Sequence, residues 1–356
     1  MRYIGNKEKI LDIIFSILEK NNVCGKTFFD FFAGTTNVSR YFKAKGYQIY
    51  SSDILYLSYC LQKAYIENNS EPLFANLLPT LPVQNSISNI LRPLDLVVDF
   101  LNTISPVKGF IYNNYTPGGT KNLPRQRTYF IDENGQKIDA IRIKIEEWKQ
   151  ARLINDAEYY ILLACLIETI GFYSNIAGVY AAFQKHWDPR ALKPLQMRTI
   201  KLVDNQQVNS VYCVDSMTLI EDIYADILYL DPPYNERQYA PNYHVLETIA
   251  KYDNPILRGV TGMRDYSEQK SRFCRANTAI EDLETIARDG HYKYLLLSYN
   301  SEGIMPQDKI IEILGKYGNV CFEQFEYMRF KSNNNGMAKT KKTVFEQLYI
   351  LKKEEK

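Results

Sequence analysis

The sequence predicts an α/β protein: an open, largely parallel sheet interrupted by a long helical insertion. Three stretches carry that expectation. Lys26-Thr27-Phe28-Phe29-Asp30-Phe31-Phe32-Ala33-Gly34 is an apolar strand running into a small-residue turn, followed by the helix-like Asn37-Val38-Ser39-Arg40-Tyr41-Phe42. Gln48-Ile49-Tyr50-Ser51-Ser52-Asp53 is a second strand, ending in an acid about 20 residues past the turn. Ala225-Asp226-Ile227-Leu228-Tyr229-Leu230 is a third, delivering Asp231 onto the rigid turn Asp231-Pro232-Pro233-Tyr234. Strand, glycine turn, helix and acid-tipped strand, in that order, are the pattern of open α/β folds.

The remaining elements follow along the chain. Residues 1–76 and 205–356 are expected to form one domain, with 77–204, too long for a crossover connection, inserted as a second, largely helical one. The Pro- and Asn-containing stretch Leu77 to Leu91 is expected to link into it. Inside, Ile143 to Gly171 reads as one long helix with Ile145, Trp148, Leu153, Tyr160, Leu163 and Ile167 on an apolar face. A helix from about Tyr243 would give His244 and Glu247 structural places. Tyr292 to Asn300 fits a buried strand and Lys309 to Tyr317 an amphipathic helix. Val320 to Phe330 and Thr343 to Leu351 fit two terminal strands flanking a basic loop.

Composition sets bounds. At 356 residues, 46% hydrophobic and 24% charged, the chain can bury a sizeable core, as expected of a cytoplasmic enzyme. Its six cysteines contain no Cys-x-x-Cys pair and its three histidines are far apart, so reduced thiols and no metal site are expected. No signal-peptide pattern and no long apolar run suggests secretion or a membrane span.

The proline turn carries the chemistry. Two prolines lock φ and lack N–H groups, so the carbonyls after Asp231 stay free of a continuing helix or central strand. An aromatic exocyclic amine is a poor nucleophile because its lone pair is delocalised. The Asp231 carboxylate and the Pro232 carbonyl can accept its two N–H groups and favour a more tetrahedral nitrogen, with Pro233 stiffening the turn and Tyr234 stacking on the ring. Asp53, at its strand end, is the candidate for ribose hydroxyls.

Arg2-Tyr3-Ile4-Gly5-Asn6-Lys7, Asp30-Phe31-Phe32-Ala33-Gly34, Asp53 and Asp231-Pro232-Pro233-Tyr234 together resemble the ordered motifs of Dam-like, alpha-group adenine-N6 DNA methyltransferases. The run Asp231 to His244, and Trp187-Asp188-Pro189-Arg190-Ala191-Leu192-Lys193-Pro194-Leu195, are similar to the FokI modification-methylase branch. The resemblance implies a Rossmann-like methyltransferase fold, S-adenosylmethionine as methyl donor and an inserted target-recognition domain. It implies that Tyr3 and Lys7 close over the cofactor, Phe32 and Gly34 form the turn beneath its methionine end, and Asp53 binds its ribose. Asp215, after Val211-Tyr212-Cys213-Val214, would lie near its adenine ring, and Asp231 between cofactor and target amine. One departure stands out: Thr35-Thr36 follows Gly34 where a second glycine is usual.

A net charge of +2 gives little steering towards nucleic acid, so local distribution matters more. Lys185 to Lys201 interleaves basic and aromatic groups around prolines, offering Lys185, Arg190, Lys193 and Arg198 to phosphates. Arg125 and Arg127, in the polar loop 113–127, suit guanine edges or phosphates. Lys339 and Lys341 belong to the basic loop 329–342, and Arg237 follows the proline turn within reach of an extruded base.

The expected function is sequence-specific adenine methylation of double-stranded DNA, with direct transfer and no metal, as the modification component of a restriction-modification system whose endonuclease acts separately. Cytosine's exocyclic amine, adenine in RNA, and a nucleic-acid-binding protein with a decayed catalytic site, motivated by Thr35-Thr36, are the rivals.

Overall fold

Seven strands form one sheet: β1 (Thr27–Asp30), β2 (Gln48–Ser52), β3 (Ser210–Tyr212), β4 (Tyr224–Leu230), β5 (His291–Asn300), β6 (Gly318–Met328) and β7 (Thr343–Lys353). They are ordered β3-β2-β1-β4-β5-β7-β6 in the computed structural model, which describes residues 4–82, 92–328 and 343–354. Strands β1 to β5 run parallel to one another, whereas β7 is antiparallel to both β5 and β6. Strand order reverses direction between β1 and β4. In open sheets of this kind that switch point, beyond the carboxyl ends of the strands, is where ligands bind.

The helices in chain order are α1 (Leu11–Lys20), α2 (Asn37–Ala44), α3 (Tyr56–Gln62), α4 (Pro93–Thr103), α5 (Phe110–Tyr115), α6 (Asp132–Gln150), α7 (Asp156–Tyr173), α8 (Tyr239–Lys251), α9 (Ala276–Asp289) and α10 (Gln307–Leu314). The chain divides into two compact units. One, residues 4–62, 204–240 and 267–356, holds the whole sheet; the other contains 63–203 and 241–266 and is helical.

Apolar alternation builds the sheet unit. Leu228, Leu230, Leu295 and Leu297 share a buried cluster with Leu283 and Ile286 of α9 and Ile313 of α10. Phe28 of β1 stacks on Phe42 of α2 with ring centroids 3.9 Å apart. The expected strands at 26–32, 48–53, 225–230 and 292–300, and the terminal pair, are present as β1, β2, β4, β5, β6 and β7, and the helix expected at 309–317 is α10.

One expectation is corrected. The long helix from Ile143 to Gly171 is two helices, because Arg152 adopts a left-handed φ of +56° and Asn155 starts α7 with a capping box. In that box Asn155 Oδ1 accepts the Glu158 N–H at 2.9 Å while Glu158 Oε2 accepts the Asn155 N–H at 2.9 Å. The domain boundaries are expected at 77 and 205; the two compact units divide at 63 and 204, and 241–266 groups with the helical unit. Position 241 carries no linker signal because it lies inside α8, whose Val245, Leu246, Ile249 and Ala250 are buried. Arg142 of α6, itself buried, donates to the Ile249 and Ala250 carbonyls at 3.1 and 3.3 Å and so caps α8.

A buried acid locks the other edge of the sheet. Asp226 Oδ2 accepts the Lys26 and Thr27 N–H groups at 2.7 and 3.1 Å, and its Oδ1 pairs with Lys293 at 2.9 Å. Gly25 leaves room for it, since a Cβ there would stand 2.3 Å from the Asp226 Cβ. Burial alone would raise the Asp226 pKa, but the Lys26 and Thr27 bonds and the Lys293 ammonium outweigh it and hold the carboxyl well below the usual range. A depressed folded-state pKa contributes stability above the unfolded value, about 3.9, and that contribution is lost as pH falls towards the folded value. Asp226→Ala is expected to lower unfolding free energy by about 2–3 kcal/mol at pH 7. Urea titrations should show the gap between variant and parent closing below about pH 4.

Candidate active site

The carboxyl ends of β1 and β4 gather the acids. Strand β4 ends at Leu230, and the next residue, Asp231, begins the turn in which Pro232 and Pro233 are buried and Tyr234 is half-buried. The Tyr234 carbonyl accepts the Ile304 N–H at 3.0 Å, which pins the end of the turn. The Asp231 side chain is 19% exposed, and its Oδ1 lies 3.3 Å from Lys7 Nζ. Lys7 also donates to Glu346 Oε1 on β7, and that oxygen accepts the Ser298 hydroxyl of β5 at 2.7 Å.

This cluster sets the charge on Asp231. Burial pushes its pKa up to about 7; the Lys7 ammonium opposes the shift, while the Glu346 and Asp30 carboxylates add to it. For Lys7 the balance is reversed. Burial works against the ammonium, but Asp231 and Glu346 outweigh it and hold its pKa above the ordinary value. Asp30, at the end of β1, is also buried: its Oδ2 accepts the Ser39 hydroxyl at 2.5 Å, whereas Oδ1 is buried with no hydrogen-bond partner among the described residues. Burial pushes the Asp30 pKa up to about 6 against the Ser39 bond, with Asp53 contributing in the same direction as burial.

The turn after β1 has the conformation its glycine pattern calls for, with one unusual residue. Gly34 sits at φ +50° and Thr36 at φ +63°, so a fully buried β-branched residue occupies the left-handed region that glycine enters freely. Such a position costs on the order of 1–3 kcal/mol and persists only where its surroundings over-determine it. Here the Thr36 N–H donates to Ala33 O at 2.6 Å, and the Thr36 hydroxyl donates to Thr35 O at 2.6 Å. The departure at Thr35-Thr36 therefore leaves the turn's backbone in place and gives the decayed-site rival no support. Asp53 ties the turn to β2: its Oδ2 accepts the Gly34 N–H and its Oδ1 the Leu55 N–H, both at 2.8 Å. Phe32 lies edge-on to Phe273, 5.2 Å between centroids.

A family model described as D12 class N6 adenine-specific DNA methyltransferase matches residues 3–313. The chain belongs to that family. Among curated relatives of this D12-class chain, the type II methyltransferase M.FokI of Planomicrobium okeanokoites is 41% identical over 342 residues, 95% of this chain and 51% of that protein. The type II methyltransferase M.NlaIII of Neisseria lactamica is 39% identical over 357 residues, covering 99% of each. The modification methylase StsI of Streptococcus sanguinis is 36% identical over 357 residues, 99% of this chain and 52% of that protein. The chain thus spans about half the length of M.FokI and StsI and nearly all of M.NlaIII.

Within this D12-class chain, the expected site residues separate into groups. Lys7, Phe32, Gly34, Asp53 and Asp231 belong to loops and strand ends at the carboxyl edge around β1, β2 and β4. Lys7, expected to close over the cofactor, pairs with the Asp231 and Glu346 carboxylates. Asp215 follows β3 and is exposed; it caps the short turn Ser216–Leu219 by accepting the Met217 N–H at 3.1 Å. Tyr3, Lys339 and Lys341 lie outside the described residues.

Arg125, Lys185, Lys193 and Arg198 are exposed on the helical unit, and Arg237 is exposed on the loop after the proline turn. Arg190 is half-buried and paired with Asp188, its Nε donating to Oδ1 at 3.0 Å. Arg127 is a correction. It is 7% exposed, and its guanidinium donates to the carbonyls of Val260, Asn114 and Gly259 at 3.0, 3.1 and 3.1 Å, so it braces a turn instead of reading a base. His244 is structural as expected: it is buried with Nε2 2.9 Å from the Tyr180 carbonyl, and burial pushes its pKa down to about 4. Among the described residues no helix is long and apolar enough to cross a membrane, and no cluster of His, Cys, Asp or Glu could hold a metal ion.

Two members of the site were not singled out from sequence, Asp30 and Glu346. For Glu346 the sequence carries no local signal: only the structure shows it 2% exposed in β7 beside a Phe345 that is 43% exposed, an acid facing in where the aromatic faces out. For Asp30 the signal is a carboxylate closing an otherwise aromatic strand, Phe28-Phe29-Asp30.

Proposed function

We propose that this chain transfers a methyl group from S-adenosylmethionine to the exocyclic N6 amine of an adenine in double-stranded DNA, as the modification component of a restriction-modification system. The observation that carries this reading is the placement of Asp231, on its double-proline turn at the switch point, with a pKa pushed up to about 7.

The donor set at the β1 and β2 ends fits that cofactor. The buried Asp30 Oδ1, without a hydrogen-bond partner among the described residues, suits an ammonium group, the left-handed turn at Gly34 and Thr36 allows close backbone approach, and the Asp53 carboxylate suits ribose hydroxyls. When bound, S-adenosylmethionine supplies an electrophilic methyl on sulfur. Asp231 and the Pro232 carbonyl accept the two N–H groups of the amine, orienting its nitrogen lone pair, and Tyr234 stacks on the base. Extruding that base costs only a few kcal/mol, which stacking and pocket contacts recover. Positioning of this kind supplies on the order of 7–11 kcal/mol in well-oriented systems. The helical unit, through Arg125, Lys185, Lys193 and Arg198, is proposed to hold the DNA, with Arg237 beside the base.

Ionised, Asp231 is the stronger acceptor for the amine, whereas protonated it carries an O–H donor of its own. Turnover is therefore expected to rise with pH along a single limb centred near 7, well above the ordinary carboxylate range. The deciding experiment incubates the purified chain with labelled S-adenosylmethionine and unmethylated duplex DNA, then digests to nucleosides. N6-methyladenine is the expected product; label in cytidine, or in RNA alone, would overturn the reading.

A further inference from the structure

Three adjacent strands bring a row of polar side chains to the proline turn. Asp231 leaves the end of β4, Ser298 sits on β5 and Glu346 on β7, and these strands are consecutive in the sheet. Ser298 is in register with Leu348, so Glu346, two residues along, is its diagonal neighbour on the same face. Most of this row is buried: Ser298 is fully covered, Glu346 2% exposed and Lys7 7% exposed, while the Asp231 side chain is 19% exposed. A charged side chain is held so deeply only when paired, and Lys7 is paired twice, with Asp231 and with Glu346.

We propose that Glu346 is a positioning residue for methyl transfer: fixed by the Ser298 hydroxyl, it holds the Lys7 ammonium against Asp231 Oδ1 and leaves the other carboxylate oxygen for the target amine. This rests on the proposed adenine methylation. Lys7 enters from the segment before α1 and Glu346 from a strand more than three hundred residues later, so the ammonium is gripped from two sides by distant parts of the chain. Lys7 has three donors and can serve both acids at once. The second acid does more than anchor. Two carboxylates share one cation, so Asp231 is only partly neutralised and remains a basic acceptor. Among the described residues the groups facing Asp231 are Lys7 from the N-terminal segment, Asp30 from β1 and Glu346 from β7, with the Tyr229 hydroxyl of β4 also close enough to interact electrostatically. Burial and neighbouring Asp231 keep that Tyr229 hydroxyl protonated, which leaves the three charged groups to set the balance.

Glu346→Gln keeps the shape and an oxygen for Ser298 and Lys7 but removes one negative charge. Lys7 then neutralises Asp231 alone, so the acid limb of the pH–kcat profile is expected to move down by about one unit. The plateau kcat should fall about tenfold, as the carboxylate becomes a weaker acceptor, with KM for DNA unchanged. Steady-state rates of the full chain with labelled S-adenosylmethionine and long unmethylated duplex DNA, from pH 5 to 9, read both quantities. A merely structural role would lower stability and leave the limb where it was; an unmoved limb with a parental plateau overturns the proposal. If Glu346→Gln does not fold, Ser298→Ala frees the carboxylate without changing charge. A three- to tenfold loss in kcat at constant KM then supports the proposal, and a parental kcat rejects it. Failure here is separable from failure of the functional reading, since a parent chain that forms no N6-methyladenine in duplex DNA would remove the reading itself, whereas an active parent and an inactive Asp231→Asn beside an unshifted Glu346→Gln remove only the positioning role.

Discussion

Asp231→Asn is expected to lower methyl transfer by about a thousandfold or more while DNA binding persists. Asparagine keeps the volume and one acceptor oxygen, but it places an NH2 group in a site built to accept hydrogen bonds and leaves Lys7 paired with Glu346 alone. The same variant reports what the site takes from stability. A carboxyl whose folded pKa is raised from about 3.9 to about 7 is favoured in its protonated form by folding. Its contribution is complete below about pH 4 and disappears as pH rises through about 7, so the parent loses stability across that window. The asparagine variant should lack this loss, and its melting temperature relative to the parent should therefore be higher at pH 8 than at pH 5. Radiolabel transfer, a DNA-binding isotherm and melting at two pH values check all three expectations. Persistent methylation would remove Asp231 from the mechanism.

Arg127→Ala is expected to destabilise the helical unit by about 3–5 kcal/mol, through backbone acceptors left without a donor and a cavity in their midst. The guanidinium holds the turn Gly259–Gly262 through the Gly259 and Val260 carbonyls and ties it to Asn114. The turn closes tightly around it: Gly262 has φ +69°, and a Cβ there would stand 2.7 Å from Arg127 Nη1. Lysine, a point charge on a flexible stem, cannot reproduce three divergent bonds, so Arg127→Lys should recover only part of the loss. Urea unfolding is the direct measure. A variant of parental stability that bound DNA poorly would return Arg127 to the interface.

What was legible in the sequence was what local chemistry dictates. Phe28-Phe29, Ile227-Leu228 and Leu295-Leu296-Leu297 announce strands because an apolar run bounded by turns has few other solutions, and the double proline announces its own rigidity. The break at Arg152 was hidden because the apolar period continues on both sides of it; only the pair Asn155 and Glu158, read as a capping box, would have revealed a second helix start. Arg127 was misjudged for a different reason. Whether an arginine faces solvent depends on carbonyls more than a hundred residues away, which no window of sequence contains. The same long range hid Glu346, whose cation is at the opposite end of the chain.

Thr36 carries a lesson about what a sequence motif encodes. A glycine-rich fingerprint is usually written in letters, yet the turn between β1 and α2 keeps its left-handed step with threonine in the glycine's place. What the site requires is a pair of dihedral angles, and glycine is the residue that adopts them with least strain. A search that demands the letter would discard this chain, whereas one that asks which neighbours can hold a strained φ, here Ala33 and Thr35 through their carbonyls, would keep it.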